Sequence, residues 1–379
     1  MKDMPKSALS FQESQPARPS GLLARMHIDL PLLTGLLLLA AVGLGVLYSA
    51  GDHNMSLLQK QLIRLGVGFF ALILLAQIHP DHLRRWSPVL YLVGILMLLA
   101  VILFGEAGKG AQRWLDLGIV RFQPSEIFKL SLPMMIAWFL ADKRLPPSLP
   151  RLLVAALLTL APVLLIAKQP DLGTALLVAS AGAFALFLAG ISWYLIGAFG
   201  LAMAALGPLA WYLMHDYQRQ RVLTFLNPES DPLGTGYHII QSKIAIGSGG
   251  LGGKGWLNGT QSHLEFLPER HTDFIFAVIS EEFGLVGVLA LLLLYLFIII
   301  RGLYIATQAQ DTYSRILAGA LTLVFFVYLF VNTGMVSGLL PVVGVPLPLI
   351  SYGGTSLVTI LISFGILMSI HTHRKLLPT

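Results

Sequence analysis

Apolar residues gather along the chain into unbroken blocks divided by short polar breaks, and this pattern predicts ten helices over 29–50, 60–79, 88–105, 124–141, 151–168, 170–189, 192–214, 273–301, 313–338 and 349–371. Blocks of roughly 17–25 residues have the length that crosses a hydrocarbon core of about 30 Å. A transmembrane β-barrel alternates polar and apolar residues over segments of about ten, whereas 289–300 is apolar on every side. The spans are therefore helical, with their narrowest divisions at 168–170 and 190–192. Composition sharpens the reading: 12% of the residues are charged and 56% hydrophobic, against about 25% charged in a soluble protein. A soluble enzyme is excluded. The expected fold class is all-α: a polytopic membrane protein of ten transmembrane helices, with a large ordered extracytoplasmic loop between helices seven and eight.

Ten spans put both termini on one side. Thirteen of the 25 Lys and Arg fall in the tails and loops of that side, which the positive-inside rule makes cytoplasmic. Residues 1–28 read as a disordered cytoplasmic tail, too long and too weakly basic for a signal n-region. One transmembrane domain then covers 29–372, with the extracytoplasmic loop 215–272 inside it, and 373–379 form a second tail. The net charge of +6 is dispersed, which suits membrane topology and argues against a nucleic-acid partner. The absence of cysteine removes thiolate and disulfide chemistry. The histidines show no metal-ligand spacing, and His371 and His373 are expected to be solvated at the cytoplasmic end.

Charges inside the spans carry the chemical information, because each costs about 2.5–3.5 kcal/mol at a helix centre. The fourth span opens FQPSEIFK (122–129), which sets Glu126 and Lys129 on one helical face. Two readings stay open: a self-neutralising pair that lets the helix insert, or a pair with one member meeting substrate in a cavity. Asp171 opens the sixth span in QPDLGT (169–174), either as a simple dipole partner or as part of an outer-face site. Spans four, six, eight and ten all begin outside, and their N-termini favour phosphate there. Arg113, beside Lys109 and Arg121, retains positive charge in an outside loop against the topological bias, for an anion or for salt bridges with Glu106 and Asp116. Asp273 sits at the step from water into lipid, where partial desolvation suits a general base. Glu281 and Glu282 lie deeper and read as buried network or coupling elements. In the long loop, Arg219, Arg221 and Lys254 are candidate anion contacts. The GxGxxG match at 247–252 lacks a βαβ context, so its glycines read as permitting tight turns and close backbone approach. The apolar, breaker-rich run 338–356, with Pro346, Ser351, Gly353 and Gly354, is expected to be a re-entrant or broken segment buried in protein or lining a cavity.

The runs GAQRWLDLG (110–118), FQPSEIFK (122–129), QPDLGT (169–174), LPERHTDFIF (267–276) and PVVGVPLPLISYGGTS (341–356) resemble the SEDS family (shape, elongation, division, sporulation), its elongation branch ahead of its division branch. They are in the family's order and span almost the whole chain except the N-tail. The resemblance implies a bacterial inner-membrane peptidoglycan glycosyltransferase with lipid II as substrate. It also implies a class B penicillin-binding protein as transpeptidase partner, alongside other elongation-complex membrane proteins. Asp273 is then the essential catalytic residue, and Glu126 and Lys129 line the central cavity. The chemistry agrees: a diphosphate leaving group is stable as an anion, so one base suffices where a glycosidase needs two carboxylates. Arg219, Arg221, Lys129 and the helix N-termini, or a divalent cation such as magnesium or manganese near Asp273, would stabilise the diphosphate. A flippase for lipid-linked precursor and a scaffold for wall-synthesis proteins are the competing classes.

Overall fold

The computed structural model describes residues 26–108, 111–116, 121–142, 145–214, 216–230, 235–263 and 269–373. Helices occupy each of the ten predicted ranges: α1 (Leu30–Ala50), α2 (Met55–Ala76), α3 (Pro80–Phe104), α4 (Ser125–Ala141), α5 (Leu149–Lys168), α6 (Leu172–Leu188), α7 (Trp193–Leu213), α11 (Ile275–Thr307), α12 (Thr312–Val336) and α13 (Thr355–Thr372). Seven of them, α1, α2, α3, α5, α11, α12 and α13, are long and apolar enough to cross a membrane. The predicted loop 215–272 contributes the shorter α8 (Asp216–Leu226), α9 (Thr235–Gly249) and α10 (Thr260–His263). Helices thus carry the fold. Beside them, β1 (Glu106–Gly108), β2 (Ala111–Asp116) and β3 (Arg121–Phe122) form a small antiparallel sheet, paired Ala107 with Gln112 and Leu115 with Phe122. These strands are too short for an alternation signal to stand out from sequence.

Polar caps start the helices where the sequence supplies them. Asp29 accepts from the Leu32 N–H, Asn54 from those of Ser56 and Leu57, and Asp311 from that of Ser314, satisfying amides that would otherwise lack partners. α12 is the most buried of the seven. Small residues let backbones approach, as expected where lipid supplies no hydrophobic drive between helices. α2 and α13 pack in parallel through Gly68 against Leu361 and Gly365 against Leu72, where an added Cβ would fall 2.5 Å from the facing Leu361 Cδ1 and Leu72 carbonyl oxygen.

α11 is broken at Gly284, whose φ of 62° and ψ of −162° are not helical. A break in lipid exposes backbone groups at several kcal/mol each unless something else binds them. The glycine run after α9 does so. Lys254 and Gly255 donate their N–H groups to the carbonyls of Glu281 and Glu282 at 3.0 and 2.9 Å, while Leu285 and Val286 donate to Gly250 and Leu251 at 3.0 and 3.1 Å. Gly253, at φ 76°, lies so close that a Cβ would stand 2.1 Å from the Glu282 carbonyl oxygen. The GxGxxG run and its neighbours therefore serve as a backbone insert into a membrane helix.

At the opposite end of the bundle, the histidines depart from expectation. His371 Nε2 lies 3.2 Å from Asp29 Oδ2, and the Arg301 guanidinium also binds Asp29, at 2.6 and 3.1 Å. His373 stacks on His27 with ring centroids 3.8 Å apart. They are half-buried and packed, where free solvation was expected, because the last helical turn closes against the start of α1. Burial opposes the charge of Asp29, but the bonds from Arg301 and the Leu32 amide outweigh it and hold the carboxyl below its ordinary range.

Candidate active site

The apolar run 341–354 is non-helical, as its prolines and glycines dictate, and its largely buried backbone grips the peptide that carries Asp273. Tyr352 donates its N–H to the His271 carbonyl at 2.8 Å, and Ser351 Oγ donates to the Thr272 carbonyl at 2.6 Å. The same Ser351 Oγ accepts the Leu347 N–H at 2.7 Å. From the other side, Asn332 of α12, fully buried, donates to the carbonyls of Asp273 (2.9 Å) and Val345 (2.7 Å). Pro346, which cannot donate, lies between the two clamped residues Val345 and Leu347. Gly344, at φ 74°, faces the Asp273 carboxylate: a Cβ there would lie 3.4 Å from Oδ2. Asp273 itself is half-buried at the start of α11. Its neighbours bind main-chain carbonyls, so the site fixes where the carboxylate is presented.

The segment continues into α13, whose first turn meets the Glu126 and Lys129 pair of α4 through Tyr328. Lys129 Nζ is 2.5 Å from Glu126 Oε1, both side chains being about 95% buried, and lies 5.0 Å from the centre of the Tyr328 ring. Tyr328 hydroxyl meets Ser356 Oγ at 3.2 Å, in the first turn of α13. Glu126 Oε2 is buried without a hydrogen-bond partner among the described residues. Asp171 caps α6, accepting from the Thr174 N–H at 3.3 Å and from Gln123 Nε2 at 2.8 Å. The α6 start abuts the same segment, with a Cβ on Gly173 only 2.7 Å from the Val343 carbonyl oxygen. Asp273, Ser351, Pro346, Gly353, Gly354, Asp171 and the Glu126–Lys129 pair are thereby connected through one stretch of chain.

Other predicted residues are engaged elsewhere. Lys254 binds Glu281 Oε1 and Thr260 Oγ1, each at 2.7 Å, and Glu281 also accepts the Gln261 N–H, a cluster at the α11 break. Glu282 is buried against Ser49. Arg219 donates to the carbonyls of Trp211 (3.0 Å) and Tyr212 (2.6 Å) at the end of α7, a common use of a cation at a helix C-terminus. The side chains of Arg113 and Arg221 lie outside the described residues. Sequence reasoning missed Arg64, Tyr328, Asn332 and Tyr352. Arg64 and Asn332 carried a signal: each is a strongly polar residue inside an apolar span.

A groove of about 590 Å³ opens between α2, α3, α4 and α13 beside this segment. Arg64, Glu126, Gly354 and Thr355 line one end, and Val67, Leu75, Leu83, Leu90, Leu130, Met134, Val358 and Ile366 line the rest. Its lining is polar at one end and apolar along the rest. Among the described residues, no group of three or more His, Cys, Asp or Glu can hold a metal ion. A divalent cation at Asp273 would have to complete its shell with oxygens from a bound ligand.

Comparison with known proteins follows the same lines. The cell cycle protein family of FtsW, RodA and SpoVE matches residues 22–376. The peptidoglycan glycosyltransferase MrdB of Escherichia coli (strain K12) is 57% identical over 354 residues, covering 93% of this chain and 96% of that one. A chain of a peptidoglycan synthase complex, solved to explain how polymerization and crosslinking are coordinated, superposes with a TM-score of 0.79 at 35% identity, covering 92% of this chain and 99% of that one. The rod shape determining protein RodA of Thermus thermophilus superposes with a TM-score of 0.69 at 30% identity, covering 92% and 98%.

Proposed function

This chain belongs to the FtsW, RodA and SpoVE family of cell cycle proteins and is a peptidoglycan glycosyltransferase of cell elongation; we propose that it polymerises lipid II at the outer face of a bacterial inner membrane, with Asp273 as general base. The observation that carries the reading is the clamped Asp273 peptide, held by Asn332 of α12 and by Ser351, whose segment also borders the groove at Gly354. Asp273 takes the proton from the acceptor sugar's C4 hydroxyl, whose oxygen forms the new bond at the donor's anomeric carbon. The bond from that carbon to the lipid diphosphate breaks, its electron pair leaving with the diphosphate, and configuration inverts. No second carboxylate is needed for a leaving group that departs as a stable anion. The groove receives a lipid chain, and the Glu126–Lys129 pair supports the α13 start beside it. Asp273, with oxygens of the substrate diphosphate completing the shell, would hold a magnesium or manganese ion that would offset the leaving group's charge; loss of turnover on chelation tests this.

In this reading, ten helices span the membrane, both termini are cytoplasmic and 215–272 lies outside, within one transmembrane domain of 29–372 flanked by tails 1–28 and 373–379. The partner is a class B penicillin-binding protein, consistent with the coordination of crosslinking in the related complex, together with other elongation-complex membrane proteins. The test is incubation of the purified protein and its transpeptidase partner with lipid II in detergent. Glycan strands of many disaccharides support the proposal. Transbilayer movement of lipid II in vesicles without any polymer would instead favour a flippase.

A further inference from the structure

We propose that Arg64 is the diphosphate-binding residue for the lipid substrate, seating the headgroup where the groove opens beside Gly353 and Gly354. The proposal rests on the lipid-linked reading above and names the group that recognises it. Arg64 lies nine residues into α2, a helix apolar enough to cross a membrane, where an unmatched cation is costly. Yet it forms no ion pair among the described residues. Its guanidinium lies 4.4 Å from the centre of the Tyr352 ring and donates one long hydrogen bond, 3.4 Å, to the Gly353 carbonyl. Those contacts aim the guanidinium while leaving most of its five N–H donors for another acceptor. The planar donor fork fits phosphate oxygens in pairs.

The surroundings agree with an anion that carries an apolar chain. Arg64 shares the polar end of the groove with the first turn of α13, at Gly354 and Thr355, whose leading amides favour negative charge. The neighbouring Glu126 has its charge matched by Lys129. From Arg64 to Leu75 on α2, and from Thr355 to Ile366 on α13, the groove walls run eleven residues in parallel, roughly 16 Å at 1.5 Å per residue. A headgroup at Arg64 thus directs its chain along Val67, Leu130, Val358 and Leu75. Tyr352 and Ser351 bind the carbonyls of His271 and Thr272, so the headgroup would lie on the segment that presents Asp273.

The test measures steady-state kinetics with lipid II and, separately, direct binding of fluorescent undecaprenyl diphosphate to the full-length protein with its partner, for wild type, Arg64→Gln, Arg64→Lys and Val67→Trp. Arg64→Gln is expected to raise KM and the dissociation constant for undecaprenyl diphosphate about tenfold or more, with the effect on turnover chiefly in KM. Arg64→Lys, which keeps the charge but not the fork, should recover part of the affinity. Val67→Trp, which fills the groove and keeps the Arg64 charge, should weaken binding as well. Phosphatidylglycerol should compete far less well than undecaprenyl diphosphate. Unchanged binding in Arg64→Gln overturns the proposal whatever Val67→Trp does, as does equal competition by phosphatidylglycerol, which would make this a general phospholipid site. Should the wild type bind undecaprenyl diphosphate through Arg64 but make no polymer, the functional reading fails and this one stands.

Discussion

Replacing Gly284 by alanine tests how the break in α11 is held. At φ 62° and ψ −162° the backbone occupies a region nearly closed to residues with a Cβ, at a cost of order 1–3 kcal/mol. The new Cβ would also stand 2.3 Å from the Gly253 nitrogen and 2.7 Å from the Leu251 carbonyl oxygen. Both are backbone atoms, so the glycine segment must retreat. Four hydrogen bonds of 2.9–3.1 Å join that segment to α11, each contributing a net of about 0.5–1.5 kcal/mol. Losing half of them adds about 1–3 kcal/mol, for a total of about 2–6 kcal/mol. Thermal unfolding of the purified protein in detergent gives the stability change, and hydrogen exchange gives its location, at the amides of Lys254, Gly255, Leu285 and Val286. Gly247→Ala is the control: nothing lies within 4 Å of a Cβ at that α9 position, so it should be neutral or stabilising by up to about 1 kcal/mol. A Gly284→Ala protein with wild-type stability and unchanged protection at those amides would refute the account of the insert.

Two further outcomes follow from buried charge. Lys129→Met should destabilise by about 3–5 kcal/mol, because it leaves Glu126 buried without its cation; the double variant with Glu126→Gln should recover most of that loss in thermal unfolding, and a double variant no better than the single would contradict the pairing. His373 has its pKa held below the ordinary 6.5, first by burial and then by the His27 and His79 rings, so the unfolded chain takes up the proton more readily. Its packing therefore stabilises fully above about pH 6.5 and less as pH falls through the folded value. The thermal midpoint of wild type relative to His373→Gln should shrink between pH 7.5 and 5.5; a difference that stays flat or grows would contradict the stacked arrangement.

What the sequence revealed follows the physics of each signal. Long apolar blocks report helices directly, so a helix occupies each of the ten ranges, with limits that differ from the predicted ones by up to eight residues. Polar residues stand out against such a background, which is why Glu126, Lys129 and Asp273 were evident. The breaker-rich run was recognisable as broken because prolines and glycines cannot continue a helix in lipid. Its partners were not, since Asn332 and Ser351 meet the Asp273 peptide across 59 and 79 positions of chain and no periodicity encodes that. The role of Lys254 and the partner of the glycine run were hidden for the same reason, although the close backbone approach of those glycines was legible. Lys254 looked like a free loop cation, but its acceptor, Glu281, lies 27 residues away inside a helix.

The central claim is that Asp273 supplies the base, and Asp273→Asn tests it most directly. The hydrogen bonds from Asn332, Ser351 and Tyr352 fall on the main-chain carbonyls of 271–273, so the amide variant should keep its fold and its thermal midpoint. The measurement is the initial rate of glycan formation from lipid II by the purified protein with its transpeptidase partner. The rate should fall by about a hundredfold or more, the usual weight of a general base, with undecaprenyl diphosphate binding retained. Polymerisation by Asp273→Asn at the wild-type rate would contradict the mechanism.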